Sequence, residues 1–308
     1  MKKFYEAYVN GQGIRTSRYL AFPFGSGIAP ENYLKTTAPN ESSTELVFER
    51  SSNAGLLNQE LTTVYSLLLH GSQASNEVMP FSDIDVVAIL DDSLLHTPLA
   101  IKKDVLALRR FCRWMFSQDP LMHHGLMFIA LSEFSHYDES FLPIQTLVEA
   151  KSICGNCRIR IIKGNSADVN AAGKLRRSLY WLCQYDFNLH HFQQDYSLKE
   201  FISGILLLPA QYLASAGRFM TKRDSFKIAY TEFPKIDWSV IQRAEEIRAK
   251  WTAPELHPLH STAIGLLSGK AQSLGRFFYN RNFRKMSDSV QLLQRGVPAI
   301  REALERAP

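Results

Sequence analysis

The chain has 308 residues, 45% of them apolar and 21% charged, with a formal charge of +5 and a pI of about 8.9. That length buries a substantial core without staples and suits one large or two ordinary domains. The composition is that of an ordinary globular protein, no run approaches the ~18 apolar residues of a membrane span, and the mild basicity fits a phosphate-bearing ligand while falling short of the pI above ~9 of a nucleic-acid-binding domain.

The N-terminus, "MKKFYEAYVNGQGIRTS", has lysines but no apolar stretch behind them, which argues against a secretory signal and makes the cytoplasm the expected location. Residues 1–50 carry loop-like segments, "FPFGSGIAP" and "APNESS", and Gly25-Ser26-Gly27 lacks the strand–turn–helix setting of a phosphate loop. From residue 64 the pattern changes. "VYSLLLH", 64–70, reads as a buried strand, Gly71-Ser72 ends it, and "IDVVAIL", 84–90, reads as a second. Thr97-Pro98 is a helix start, and Val105, Leu108, Phe111, Cys112, Met115 and Phe116 supply its apolar face before Pro120 stops it. "GLMFIAL", 125–131, reads as a third strand.

Cys154 and Cys157 form a CxxC, but no second cysteine or histidine pair at finger spacing completes a zinc site. Gly155-Asn156 between them is a favoured hairpin turn, so strands near 152–162 are expected to pair with each other. Beyond residue 167 the strand signal fades. "VNAAGKLRRSLYWLCQYDFNLHHF" is helical. Ser197-Leu198-Lys199-Glu200 is a capping box opening a helix that Pro209 kinks and Gly217 ends. Residues 238–250 and 288–305 are helical too. The basic run 275–285, with Arg276, Arg281, Arg284 and Lys285 among aromatics, reads as a solvated helix face, with nucleic-acid contact as the alternative.

The chemistry concentrates in "LLLHGSQASNEVMPFSDIDVVAIL", 67–90. Residues two apart on a strand share a face, so Asp83 and Asp85 project together while Ile84 and Val86 enter the core. Adjacent carboxylates repel and raise one another's pKa. A divalent cation removes that repulsion, and hard oxygens at this spacing suit Mg²⁺ shared with substrate phosphates. On this reading, deleting either charge leaves folding intact or improves it. Gly71 permits close backbone approach, and Ser72 and free N–H groups offer donors to phosphate.

An apolar strand, Gly71-Ser72, ten residues and then Asp83-Ile84-Asp85-Val86 in an apolar strand resembles the signature of the DNA polymerase β-like nucleotidyltransferase superfamily, close to its small bacterial and antibiotic-modifying members. The resemblance implies an α+β chain: a small mixed β-sheet with flanking helices, residues 1–165, followed by a helical substrate domain, 166–308. It also implies transfer of a nucleoside monophosphate from an NTP, ATP foremost, by Mg²⁺ ions on Asp83 and Asp85. The acceptor is a small molecule, a tRNA end or a protein; no membrane partner is implied.

The family places a third acid on a later strand. The matching segment "LMHHGLMFIALSEF", 121–134, has none until Glu133 and begins with His123-His124. Three alternatives stand: a histidine, His124 first, replaces the carboxylate; Glu133, Asp138 or Glu149 reaches in; or the second metal site is weakened and the chain is a nucleotide-binding module that has lost the chemistry. Lys222, Arg223 and Ser225, in "GRFMTKRDSF", match positions that help bind the triphosphate in the family.

Overall fold

The computed structural model describes residues 43–48, 61–95, 98–154, 157–164, 167–187, 194–253, 279 and 281–306. Gly25-Ser26-Gly27, Thr97 and the Gly155-Asn156 turn lie outside them.

A four-stranded sheet has the order β4-β3-β2-β5, built from β2 (Val64–His70), β3 (Asp85–Leu90), β4 (Met127–Ala130) and β5 (Lys151–Cys154). β3 runs antiparallel to β2 and parallel to β4, so the sheet is mixed. Both faces of β3 are covered. Val86, Ala88 and Leu90 pack on one face with Leu108, Phe111 and Met115 of α2 (Pro98–Gln118), and Val87 and Ile89 pack on the other. That double burial is why β2 and β3 read as continuous apolar runs rather than as alternating ones. Pro98 opens α2, and its buried stripe is the one the helical spacing predicts.

β6 (Cys157–Ile162) does not pair with β5 as the CxxC turn suggests. It pairs antiparallel with β1 (Ser43–Phe48) in a separate two-stranded sheet, while β5 joins the free edge of β2. The alternation of β6 explains the departure: Cys157, Ile159 and Ile161 bury against Leu46, Phe48 and Leu68, while Arg158 and Arg160 stay out. The cysteines are free.

The C-terminal part is helical: α4 (Ala167–Cys183), α5 (Gln194–Leu206), α6 (Leu208–Ser215), α7 (Lys222–Glu232), α8 (Ser239–Ala249), α9 (Arg281–Lys285) and α10 (Ser287–Arg306). Two short helices, α1 (Ser72–Ser75) and α3 (Ile144–Val148), belong to the N-terminal part. α5 begins before the expected capping box, and Ser197 lies buried inside it. Asp195 explains the earlier start: its carboxylate accepts hydrogen bonds from the backbone N–H of Asn282 and Phe283, which ties α5 to the head of α9. The chain breaks between α5 and α6, where Pro209 occupies the first turn, and Gly217 takes a positive φ of 76° just beyond α6. The helical core reaches back to Phe81 and Leu121, so the two parts meet beside the aspartates. Among the described residues no helix is long and apolar enough to cross a membrane.

Candidate functional site

Asp85 is the first residue of β3, a central strand, and pairs in register with His70, the last of β2. Gly71 follows at φ 66°, ψ −152°, a conformation essentially restricted to glycine. A Cβ there would stand 2.8 Å from Asp85 Oδ2, so only a residue without a side chain fits against the carboxylate. Ser72 opens α1 beside it. The Asp85 carboxylate makes no hydrogen bond or ion pair among the described residues. Burial raises its pKa, His70 opposes the rise and Asp83 adds to it.

Asp83 precedes the strand and meets a different environment. Lys199 Nζ, from α5, lies 2.5 Å from Asp83 Oδ1, and His123 Nδ1 lies 2.7 Å from Asp83 Oδ2. The Lys199 ammonium is 1% exposed and hydrogen-bonds Asp119 Oδ2 at 2.6 Å. Burial works to raise the Asp83 pKa, but His123 and Lys199 outweigh it and hold the carboxyl well below the usual range. Burial works to lower the Lys199 pKa, and the two carboxylates reverse that. Asp119 is pushed up to about 6 by burial, with Lys199 opposing. The expected repulsion between Asp83 and Asp85 is therefore already offset on the Asp83 side by an internal cation, so deleting this charge is expected to leave Lys199 short of a partner.

Asp119 is an acid at the site that the strand pattern does not single out. It lies two residues ahead of the segment 121–134 that matches the family's acid-bearing strand. The other candidates are occupied elsewhere. Glu133 lies beyond the far end of β4 and accepts from Ala130 N–H at 2.6 Å. Asp138 accepts from Asn170 and from Ser140 N–H. Glu149 pairs with Arg223 at 2.8 Å. His123 and His124 do converge on Asp83: one ligand atom from each of the three lies within 4.8 Å of the others, and the two rings are 3.9 Å apart. They precede β4 in irregular backbone, which frees two consecutive side chains from the strand rule that would send them to opposite faces. Burial, reinforced by His123, pushes His124 down to about 3, so its ring is neutral at ordinary pH and open to a cation.

Lys222 is the first residue of α7, behind the Thr221 cap whose hydroxyl accepts from Asp224 N–H. Burial and Arg248 lower its pKa, while Asp85 and Asp83 pull the other way, which places its charge within electrostatic reach of the pair. Ser225 is not brought to the site: its buried hydroxyl donates to the Lys222 carbonyl at 2.6 Å, within its own helix. Arg223 instead bridges Glu77 and Glu149. A cavity of about 500 Å³ lined by Tyr230, Ile236, Trp238 and Gln242 includes none of these residues.

The donors divide into two sets. Asp85 with Asp83 offers hard oxygens suited to Mg²⁺ and phosphate-bearing ligands. Asp83 with two imidazoles offers a mixed set suited to softer ions. No family model, curated protein or solved structure matches the chain.

Proposed function

We propose that the chain is a Mg²⁺-dependent nucleotidyltransferase that moves a nucleoside monophosphate from an NTP, ATP foremost, to a nucleophile on a small molecule, a tRNA or a protein. The observation that carries this reading is the fit of Gly71 against Asp85: a glycine-only turn pressed on a half-buried carboxylate that makes no other polar contact among the described residues. The mixed sheet followed by helices supports the fold that the motif implies.

Asp85 and Asp83 would hold Mg²⁺, and Lys222 supplies positive charge for the triphosphate from the helical side. Gly71 keeps the turn low enough for phosphate oxygens to approach, with the Ser72 hydroxyl as a donor beside it. Lys199 fixes the Asp83 carboxylate through one oxygen. When bound, Mg²⁺ would polarise the phosphoryl group and offset charge on the leaving pyrophosphate.

The same Lys199 contact favours a second reading, a nucleotide-binding module without transfer, because it takes an oxygen that another cation would need. Incubating the full chain with each labelled NTP and Mg²⁺, against tRNA, protein and small-molecule fractions, separates the two. Label transfer that disappears in Asp85→Asn supports the enzyme. NTP binding with no transfer to any fraction supports the module, and neither binding nor transfer removes both.

A further inference from the structure

We propose that Asp83, His123 and His124 form a site for one first-row transition-metal ion of the zinc, cobalt or iron class, separate in chemistry from any Mg²⁺ that accompanies a nucleotide. It shares Asp83 with the nucleotide pocket but needs no nucleotide, so it stands or falls independently of the transferase reading.

The first ground is convergence. Three ligand atoms from two stretches of chain lie within 4.8 Å of one another, close to what one ion requires. The second is an orphaned atom. The His123 and Asp83 side chains are 7% and 8% exposed, and His123 Nδ1 is buried without a hydrogen-bond partner. The 2.7 Å approach of Nδ1 to Oδ2 has the length of a hydrogen bond but not its alignment. A buried polar atom left in this state is costly, and an ion shared by His123 Nδ1 and Asp83 Oδ2 removes the cost. A fixed ammonium already faces Asp83 Oδ1, so the ion belongs on the Oδ2 side with the imidazoles.

The third ground is ligand chemistry. Two imidazoles and one carboxylate select borderline ions over Mg²⁺, which prefers oxygen and gives up its waters reluctantly.

The test uses the full chain without an affinity tag, stripped with chelator and then titrated with Co²⁺ in excess Mg²⁺. Binding is read by visible absorption and by equilibrium dialysis, with no nucleotide present. The expected result is one Co²⁺ per chain with the absorption of an imidazole-ligated ion, displaced by Zn²⁺ and not by Mg²⁺. His123→Ala and His124→Ala should each weaken binding by at least the ~10–100-fold that loss of even an outer partner costs a metal site. Absence of Co²⁺ absorption in the wild-type chain, displacement by Mg²⁺, or unchanged affinity in folded His123→Ala and His124→Ala overturns the proposal. The wild-type spectrum decides the matter even where a variant does not fold.

Discussion

On one flank of the aspartate pair, Asp83 lies against Lys199 and His123, each within 2.7 Å, with its pKa held low. On the other, Asp85 lies against Gly71 and beside His70, with its pKa raised by burial and no polar partner among the described residues. A single residue, Ile84, separates them in sequence. The same side chain is thus neutralised by the protein in one place and left without a polar partner among the described residues in the other. Local sequence brings the two carboxylates to one end of the sheet. The helical part, through Lys199, decides which one stays available.

Lys199→Met strikes this difference hardest. It leaves Asp83 and Asp119 buried without their shared cation, and losing one partner of a buried ion pair costs about 3–5 kcal/mol. Urea denaturation reads it; a loss below ~1 kcal/mol would show that Lys199 does not hold the Asp83 flank. On the opposite flank, Gly71→Ala forces a glycine-only backbone and a 2.8 Å clash, at a cost of about 1–3 kcal/mol. It should also weaken NTP binding through the displaced Asp85 carboxylate.

The direct contrast is Asp83→Asn against Asp85→Asn. Asp83→Asn removes a charged partner of Lys199 and should destabilise the fold by about 2 kcal/mol. Asp85→Asn relieves a half-buried carboxylate next to another, so stability should hold within ~0.5 kcal/mol or rise. Equal losses from the two would erase the distinction.

Titration sharpens it further. Asp83 is lowered in the folded chain, so its stabilisation is full above its ordinary value of about 3.9 and is lost as pH falls through its folded value. Asp119 is raised to about 6, so its contribution is full below about 3.9 and is lost as pH rises through about 6. The stability difference between wild type and Asp119→Asn should therefore shrink from about pH 4 to about pH 7, while that for Asp83→Asn should grow as pH rises towards about 4 and level off above it. Parallel slopes would contradict the assignment.

What was legible in the sequence is what depends on neighbours along the chain. β2 is the strand that "VYSLLLH" predicts, α2 runs from Pro98 to just short of Pro120, and Gly71 sits by Asp85 because one hairpin register aligns His70 with it. Lys199 was read as part of a capping box, yet it lies on a helix buried around Leu198, Phe201 and Ile202. A lysine amid apolar helix positions was the available signal, but its partners lie 116 and 80 residues earlier and only packing brings them together. Asp119 was missed because it precedes the strand. β5 and β6 part: β6 lays Cys157, Ile159 and Ile161 against the β1 side of the core while β5 takes the edge of β2, pairings between distant stretches of chain that a two-residue turn does not announce. Ser225 matched a motif position while its hydroxyl served its own helix.

The most direct test of the central claim is calorimetric titration of ATP into the full chain, with and without Mg²⁺, for wild type and Asp85→Asn. The account predicts binding that requires Mg²⁺ and falls at least ~10-fold in Asp85→Asn while that variant melts no lower than wild type. Binding of equal strength without Mg²⁺, binding untouched by Asp85→Asn, or no binding of any NTP by the folded wild-type chain would contradict it.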